Sequence, residues 1–106
     1  MKPIKRVIGG KVYDTSTAEE ICDCGSSGYS CSEFKWHDTY LYRTKKGAFF
    51  LAGEGGPMTM WAKSSGNGIG YGSGVLPLTD AMAREYAEGA EMDAGEMAKI
   101  FKVDEA

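Results

Sequence analysis

The densest group of reactive side chains in the sequence contains three cysteines and one histidine. Their spacing is Cys22-x-Cys24-x6-Cys31-x5-His37. Three thiolates and one imidazole match the donor set of a tetrahedral zinc site. However, zinc knuckles usually place two residues between their cysteines, and the single residue between Cys22 and Cys24 closes too small a loop. The spacing therefore favours three partly buried thiols and a surface histidine, and we expect neither a metal nor a cofactor.

No pattern in the sequence assembles a catalytic group. Cys31 and His37 could form a nucleophile–base pair, but no Asp or Asn can be singled out to orient the histidine. The glycine-rich stretches GEGG (53–56) and GNGIGYGSG (66–74) match neither the P-loop nor the dinucleotide-binding fingerprint. We therefore expect a protein that is not an enzyme.

Length and composition predict one globular domain spanning residues 1–106. The chain is 42% hydrophobic and 25% charged, as in ordinary globular proteins. Its longest apolar run, residues 48–52, is far shorter than the roughly 20 residues of a membrane-spanning helix. The start, MKPIKRVIGG, lacks the hydrophobic region of a secretory signal. These features predict a cytoplasmic protein that does not contact a membrane.

Charge is distributed unevenly along the chain. The net charge is −3, but residues 1–63 carry +2 and residues 64–106 carry −5. The acidic excess falls in the segment that we predict to be helical. The candidate partner-binding residues there are Asp80, Glu85, Glu88, Glu91, Asp93 and Glu96.

Seven basic residues in the first half of the chain suggest a different surface. They are Lys2, Lys5, Arg6, Lys11, Arg43, Lys45 and Lys46. Together with nearby aromatic residues they could form a basic stripe of the kind that binds single strands. The sequence pI near 5.1 argues against direct nucleic-acid binding, since whole-domain basicity is the normal footprint.

Strand and turn patterns dominate the first half. A Gly-Gly turn at residues 9–10 joins predicted strands at 3–8 and 11–14. A capping-box pattern predicts a short helix over about 17–22. Residues 40–53 form a second hairpin with aromatic and aliphatic residues on its two faces. We expect this second hairpin to hold the core.

The second half is predicted to end in two helices. The pattern at 58–65 fits a helix or a strand, and 66–74 favours a mobile loop over a strand with glycines on one face. A last short strand is predicted at 75–78. It precedes a helix at 80–88, with Thr79 as its cap and Gly89 as its stop, and a second helix at about 93–102. The order of elements predicts an α+β fold, with a small antiparallel β-sheet packed by a short helix and two C-terminal helices.

Three stretches together resemble a known family. They are IGGKVYDTSTAEE (8–20), LYRTKKGAFFLAGEGG (41–56) and VLPLTDAMAREY (75–86). They are similar to small proteins carried by bacterial phages, plasmids and integrative elements, whose members read ING-K-x-YDT-x-TA, then LYRTKKG-x-(W/F)-FL-x-GEGG, then G-I-x-PL before an acidic helix. Gly9 replaces the usual Asn, and the three cysteines also depart from the family pattern.

The resemblance implies a role in counter-defence. Some small acidic proteins of such elements are anti-CRISPR inhibitors, several of which imitate the charge of nucleic acid. The leading hypothesis is a non-catalytic inhibitor that binds a host CRISPR-type effector or another nucleic-acid-binding complex through the acidic residues above. The alternative is a zinc- or nucleic-acid-binding accessory module.

A second candidate surface comprises Tyr40, Tyr42, Trp61 and the GEGG corner.

The poor ligand spacing predicts that folding does not depend on a metal. Thermal melts recorded with and without a strong chelator should coincide, because no structural site would lose its ion. A lower melting temperature with the chelator, together with about one zinc per chain by elemental analysis, would contradict this prediction.

Overall fold

The fold is a four-stranded antiparallel sheet with a β-hairpin and two helices packed against it. The computed structural model describes residues 2–26, 36–66 and 68–106. The strands are β1 (Lys5–Ile8), β2 (Lys11–Asp14), β3 (Glu19–Ser26), β4 (His37–Arg43), β5 (Phe49–Gly55), β6 (Lys63–Ser65), β7 (Gly68–Gly70) and β8 (Gly72–Leu78), and the helices are α1 (Asp80–Gly89) and α2 (Ala94–Ile100). The main sheet has the order β3-β4-β5-β8, while β1-β2 and β6-β7 form separate two-stranded sheets. The α+β prediction is confirmed.

The N-terminal hairpin forms as its glycines predict. Gly9 and Gly10 have φ angles of 59° and 77°, the left-handed conformation that this two-residue turn requires. The open end is closed by Thr15, whose Oγ1 accepts from the Ile4 amide at 2.9 Å and whose own amide donates to the Ile4 carbonyl at 3.0 Å. Tyr13 then meets Phe50 of the main sheet edge to face, with ring centroids 5.4 Å apart. These contacts seat the hairpin on one face of the sheet.

The short helix predicted at 17–22 is wrong, because this segment enters strand β3. Asp14 Oδ1 accepts from both the amide and the hydroxyl of Ser16, at 2.9 and 2.7 Å, so Ser16 turns the chain instead of capping a helix. From Glu19 onward the backbone pairs with β4. An isolated helix of six residues is marginal, and pairing along a neighbouring strand satisfies the same backbone groups.

The glycine-rich segment also forms strands where a mobile loop was favoured. β7 pairs with β6, and β8 continues from Gly72 through the short strand predicted at 75–78. β8 lies at the edge of the main sheet, with Pro77 opposite Phe50. An edge strand tolerates proline because one side of its backbone needs no partner. The open question at 58–65 resolves into a turn followed by β6.

Both C-terminal helices form, and each begins at a side-chain cap. Thr79 Oγ1 accepts from the Met82 amide at 3.2 Å and starts α1, as predicted. Asp93 Oδ2 accepts from the amides of Gly95 and Glu96 and starts α2. Gly89 was predicted to stop the first helix, but it remains helical, and Glu91 takes the left-handed conformation instead (φ 57°). Neither described helix has the length and apolar character that crossing a membrane requires.

Strand β5 is buried on both faces. Phe49 and Leu51 point toward the helices, where Phe49 stacks on Phe101 with centroids 5.1 Å apart. Phe50 and Ala52 point toward the N-terminal hairpin, and Phe50 stacks on Tyr42 at 5.3 Å. The sheet is therefore the middle of three layers, with residues 2–18 as the hairpin layer and residues 79–106 as the helical layer.

Burial on both faces predicts that Phe49→Ala and Phe50→Ala are both costly. Each truncation leaves a cavity between two layers and should lower the free energy of unfolding by about 3–5 kcal/mol in urea denaturation. Val7→Ala, at a side chain that is 67% exposed, is the control and should change stability by about 0.5 kcal/mol or less. Small, equal losses at both phenylalanines would show that β5 is peripheral.

Candidate functional site

The six predicted partner-binding residues all lie on the surface of the helical layer. They are Asp80, Glu85, Glu88, Glu91, Asp93 and Glu96, and every one is exposed. This layer carries eight acidic and three basic side chains, a net charge of −5. The structure thus gathers into one layer the charge that the sequence shows only as an asymmetry between two halves.

Three of these six residues already have structural roles. Asp93 caps α2 through two amides. Glu96 lies 3.3 Å from the ammonium of Lys99, and Asp80 lies in the first turn of α1, where the positive end of the helix dipole stabilises an acid. These three candidates therefore also serve the helices or an ion pair, and the partner-binding role of all six stays a prediction. Substituting Asp93 in particular would remove a helix cap.

Of the other three acids, Glu88 lies where the helix dipole disfavours an acid, and Glu85 and Glu91 flank it. Glu88 is in the last turn of α1, Glu85 precedes it by three residues, and Glu91 follows the helix end. The last turn of α1 contains no basic residue to offset them. An acid near a helix C-terminus is unfavourable by about 0.3–1 kcal/mol, since the carbonyl end carries partial negative charge. Glu85, Glu88 and Glu91 are called the acidic helix end below.

The opposite side of the molecule contains a cleft rich in lysine. The cleft measures about 600 Å³ and lies between the N-terminal hairpin and the turn from β4 to β5. Its basic residues are Lys5, Lys11, Lys45 and Lys46, and they define the lysine cleft. All four are exposed. Among the described residues, no carboxylate lies within salt-bridge distance of their ammonium groups.

The longer basic stripe does not form as one surface. Arg43 is held by Glu19, with 3.0 Å between Nη2 and Oε1. Arg6 lines a different cleft beside Trp36 and Glu54. The lysine cleft therefore contains four of the seven cations that the sequence grouped, and Arg43 lines an adjoining cleft with Lys45 and Lys46.

The GEGG corner is occupied by the chain's own tryptophan. Gly53 and Gly55 of β5 pair with Gly74 and Gly72 of β8, which makes a floor without side chains. The Trp61 indole lies against Gly53 and Gly74 of this floor; the residue is 6% exposed, and its Nε1–H donates to Thr39 Oγ1 at 2.9 Å. Because a Cβ on Gly53 would stand 2.6 Å from that nitrogen, the floor accepts only glycine there.

This arrangement leaves few residues of the second candidate surface exposed to a partner. Trp61 and Tyr42 are buried, at 6% and 8% exposure, so neither ring is free to meet a partner. Tyr40 is half-buried on the opposite face of the sheet from Trp61. A hydrogen bond to Asp38, which stabilises the protonated phenol, raises the pKa of Tyr40 to about 12. The surface predicted from the sequence is therefore not continuous.

An acidic pair that the sequence did not reveal lies beside Tyr40. Asp38 and Glu54 are direct partners across β4 and β5. Like charges placed opposite each other in a sheet are destabilising. Sixteen positions separate the two residues in the chain, so only the strand register could have identified the pair.

The cysteine–histidine set is only partly within the described residues. Cys22 and Cys24 lie on β3 and His37 on β4, while Cys31 falls outside the described residues. The Cys24 thiol hydrogen-bonds to Cys22, which lowers the pKa of Cys22 and raises that of Cys24. Within the described part of the chain, no three His, Cys, Asp or Glu side chains are grouped to hold a metal ion. Metal independence stays a prediction.

Comparison of the chain with protein-family models, curated proteins and solved structures gives no match. The function proposed below therefore depends on the geometry of the described residues and on the motif resemblance.

The glycine floor predicts that Gly53→Ala displaces Trp61. The added methyl group would collide with the Asp38 carbonyl oxygen and with the indole. Such overpacking costs about 1–3 kcal/mol, and the fluorescence of the indole should shift as it loses its buried hydrogen bond. Gly68→Ala is the matched control, because a Cβ there meets nothing within 4 Å. Native stability and unchanged tryptophan emission in Gly53→Ala would refute this packing.

Proposed function

We propose that this protein is a counter-defence protein carried by a bacterial mobile element, and that it inhibits a host defence complex without catalysis. It acts in the bacterial cytoplasm by placing the acidic helix end in a basic, nucleic-acid-binding channel of a host CRISPR-type effector. The motif resemblance supports the biological setting. The charge and position of Glu85, Glu88 and Glu91 support the mode of binding.

The observation that carries the proposal is the exposed acidic helix end, in which Glu88 is placed against the dipole of α1. Folding alone would favour lysine or arginine at the end of this helix. Because an acid at this position lowers the stability of the helix, we explain its presence by binding to a partner. The channels that hold nucleic acid present lysine and arginine to phosphates, and carboxylates can occupy the same cationic positions.

The acidic helix end is attached to a rigid element. Ala83 and Ala87 on the inner side of α1 are fully buried against the sheet, and Thr79 caps the helix start. The acids therefore need little ordering when they bind, so little conformational entropy is lost. A net charge of −5 on this layer would also steer it toward a basic channel and accelerate association at low salt.

Reversing two of these acids should separate binding from stability. In Glu85→Lys/Glu88→Lys, the melting temperature should be unchanged or higher, because exposed charges are worth about 0–1 kcal/mol and lysine suits a helix end. Displacement of labelled target DNA from purified effectors of the host should weaken by about tenfold or more. Displacement of the labelled DNA by the native protein should also fall steeply as the salt concentration rises from about 50 to 200 mM.

The matched control reverses two acids on the sheet. Glu20→Lys/Glu54→Lys changes the net charge by the same amount and should compete as well as the native protein. If both double variants lose competition equally, overall charge and not the acidic helix end is responsible. If Glu85→Lys/Glu88→Lys inhibits like the native protein, charge mimicry by this surface is wrong.

A further inference from the structure

We infer that the lysine cleft is a binding site for a phosphorylated nucleoside, either a free nucleotide or one residue of a nucleic-acid strand. The site lies between the hairpin layer and the turn from β4 to β5, on the other side of the sheet from the acidic helix end. It is therefore independent of the proposed inhibition and can be tested without it.

The cleft collects positive charge from two separate elements. Lys5 and Lys11 come from the N-terminal hairpin, and Lys45 and Lys46 from the turn between β4 and β5. Asp14 also lines the cleft and faces Lys5 across the hairpin. Its carboxylate accepts two hydrogen bonds from Ser16, which together with Lys5 keep the pKa of Asp14 below its usual value. With Asp14 ionised, the lining keeps an excess of positive charge.

The type of cation suits phosphate. An ammonium group is a compact charge with three donors, and it binds phosphate without demanding one orientation. Four ammonium groups against one carboxylate leave a net charge of +3 at the cleft. A phosphate carries up to two negative charges, so it neutralises more of this positive charge than a single carboxylate would. The anion would also relieve the mutual repulsion of the lysines.

The shape of the cleft leaves room for a nucleoside beside the phosphate. Its volume of about 600 Å³ is within the usual range for small-molecule sites. Val12, which is 53% exposed, and Ala48 add apolar surface to the same lining. An apolar wall next to clustered cations fits a ligand with a flat base at one end and a phosphate at the other.

The turn that carries two of the lysines is already ordered. The Thr44 amide donates to the Ala48 carbonyl at 2.8 Å, and the Gly47 amide donates to the Thr44 carbonyl at 2.9 Å. Thr44 Oγ1 accepts from the Ala48 amide at 3.0 Å. Gly47 takes a φ of 90°, which closes the turn. Lys45 and Lys46 therefore extend from a fixed backbone, which lowers the entropy lost on binding.

The acidic pI of the whole chain is compatible with anion binding at this cleft. Whole-chain charge averages over a hairpin layer and a helical layer of opposite sign. Exposed charges farther apart than about 10 Å are largely screened at 0.1 M salt. A ligand in the cleft responds mainly to the nearby lysines.

The test compares two charge-matched variants. Lys11→Gln/Lys46→Gln removes one cation from each side of the cleft, and Lys63→Gln/Lys102→Gln removes two exposed cations outside it. Binding of a labelled oligothymidylate is followed by fluorescence anisotropy, and ATP is titrated by calorimetry. The cleft variant should bind at least one of them about tenfold more weakly, and for the strand its salt dependence should fall by about two counterions. The control should bind like the native protein, and both variants should keep the native urea midpoint.

The two ligands distinguish the source of the phosphate. Binding of ATP that competes with the strand identifies a free-nucleotide site, whereas binding of the strand without ATP identifies a nucleic-acid site. Absence of binding to both ligands at about 50 mM salt would overturn the inference, as would equal weakening by the two variants. Glu85→Lys/Glu88→Lys should bind these ligands at least as well as the native protein, so failure here is distinct from failure of the inhibition proposal.

Discussion

The burial of β5 on both faces is the constraint on which the rest of the structure depends. Phe50 holds Tyr42 and Tyr13 on one side, while Phe49 and Leu51 hold the helices on the other. A strand that is covered twice fixes two layers relative to each other. Each layer then displays its own charged side chains outward, so the position of both candidate surfaces follows from one central strand.

A second constraint joins the edge strand to the core. The Trp61 indole fills the space that Gly53 and Gly74 leave open, and it donates a hydrogen bond to Oγ1 of the buried Thr39. Within the glycine-rich segment 66–74, Gly74 thus lies against an internal side chain, whereas a Cβ on Gly66, Gly68 or Gly70 would meet nothing within 4 Å. Because that space is filled, this corner contributes to the stability of the fold.

The charge pattern divides the molecule into two surfaces of opposite sign. The acidic helix end lies on one outer layer, and the lysine cleft opens beside the other. Neither surface is required by the core, and both carry like charges whose repulsion opposes folding. The proposed inhibition and the proposed nucleotide site would each offset one of these two electrostatic costs, since a cationic partner suits one surface and an anionic ligand the other.

The sequence by itself determined the local features, and the tertiary structure decided how they combine. The Gly9-Gly10 turn, the 40–53 hairpin and the cap at Thr79 were predictable, because each depends on backbone preferences within a few residues. Strand β3 replaced the predicted helix because its partner, β4, lies farther along the chain. The basic residues suggested a cationic surface from the sequence, but which four of them meet in the lysine cleft was decided by the fold. The seat of Trp61 and the pair of Asp38 with Glu54 also join segments that are distant in sequence. Local pattern does not fix such contacts, since they depend on strand register and on which side chains fill the space between layers.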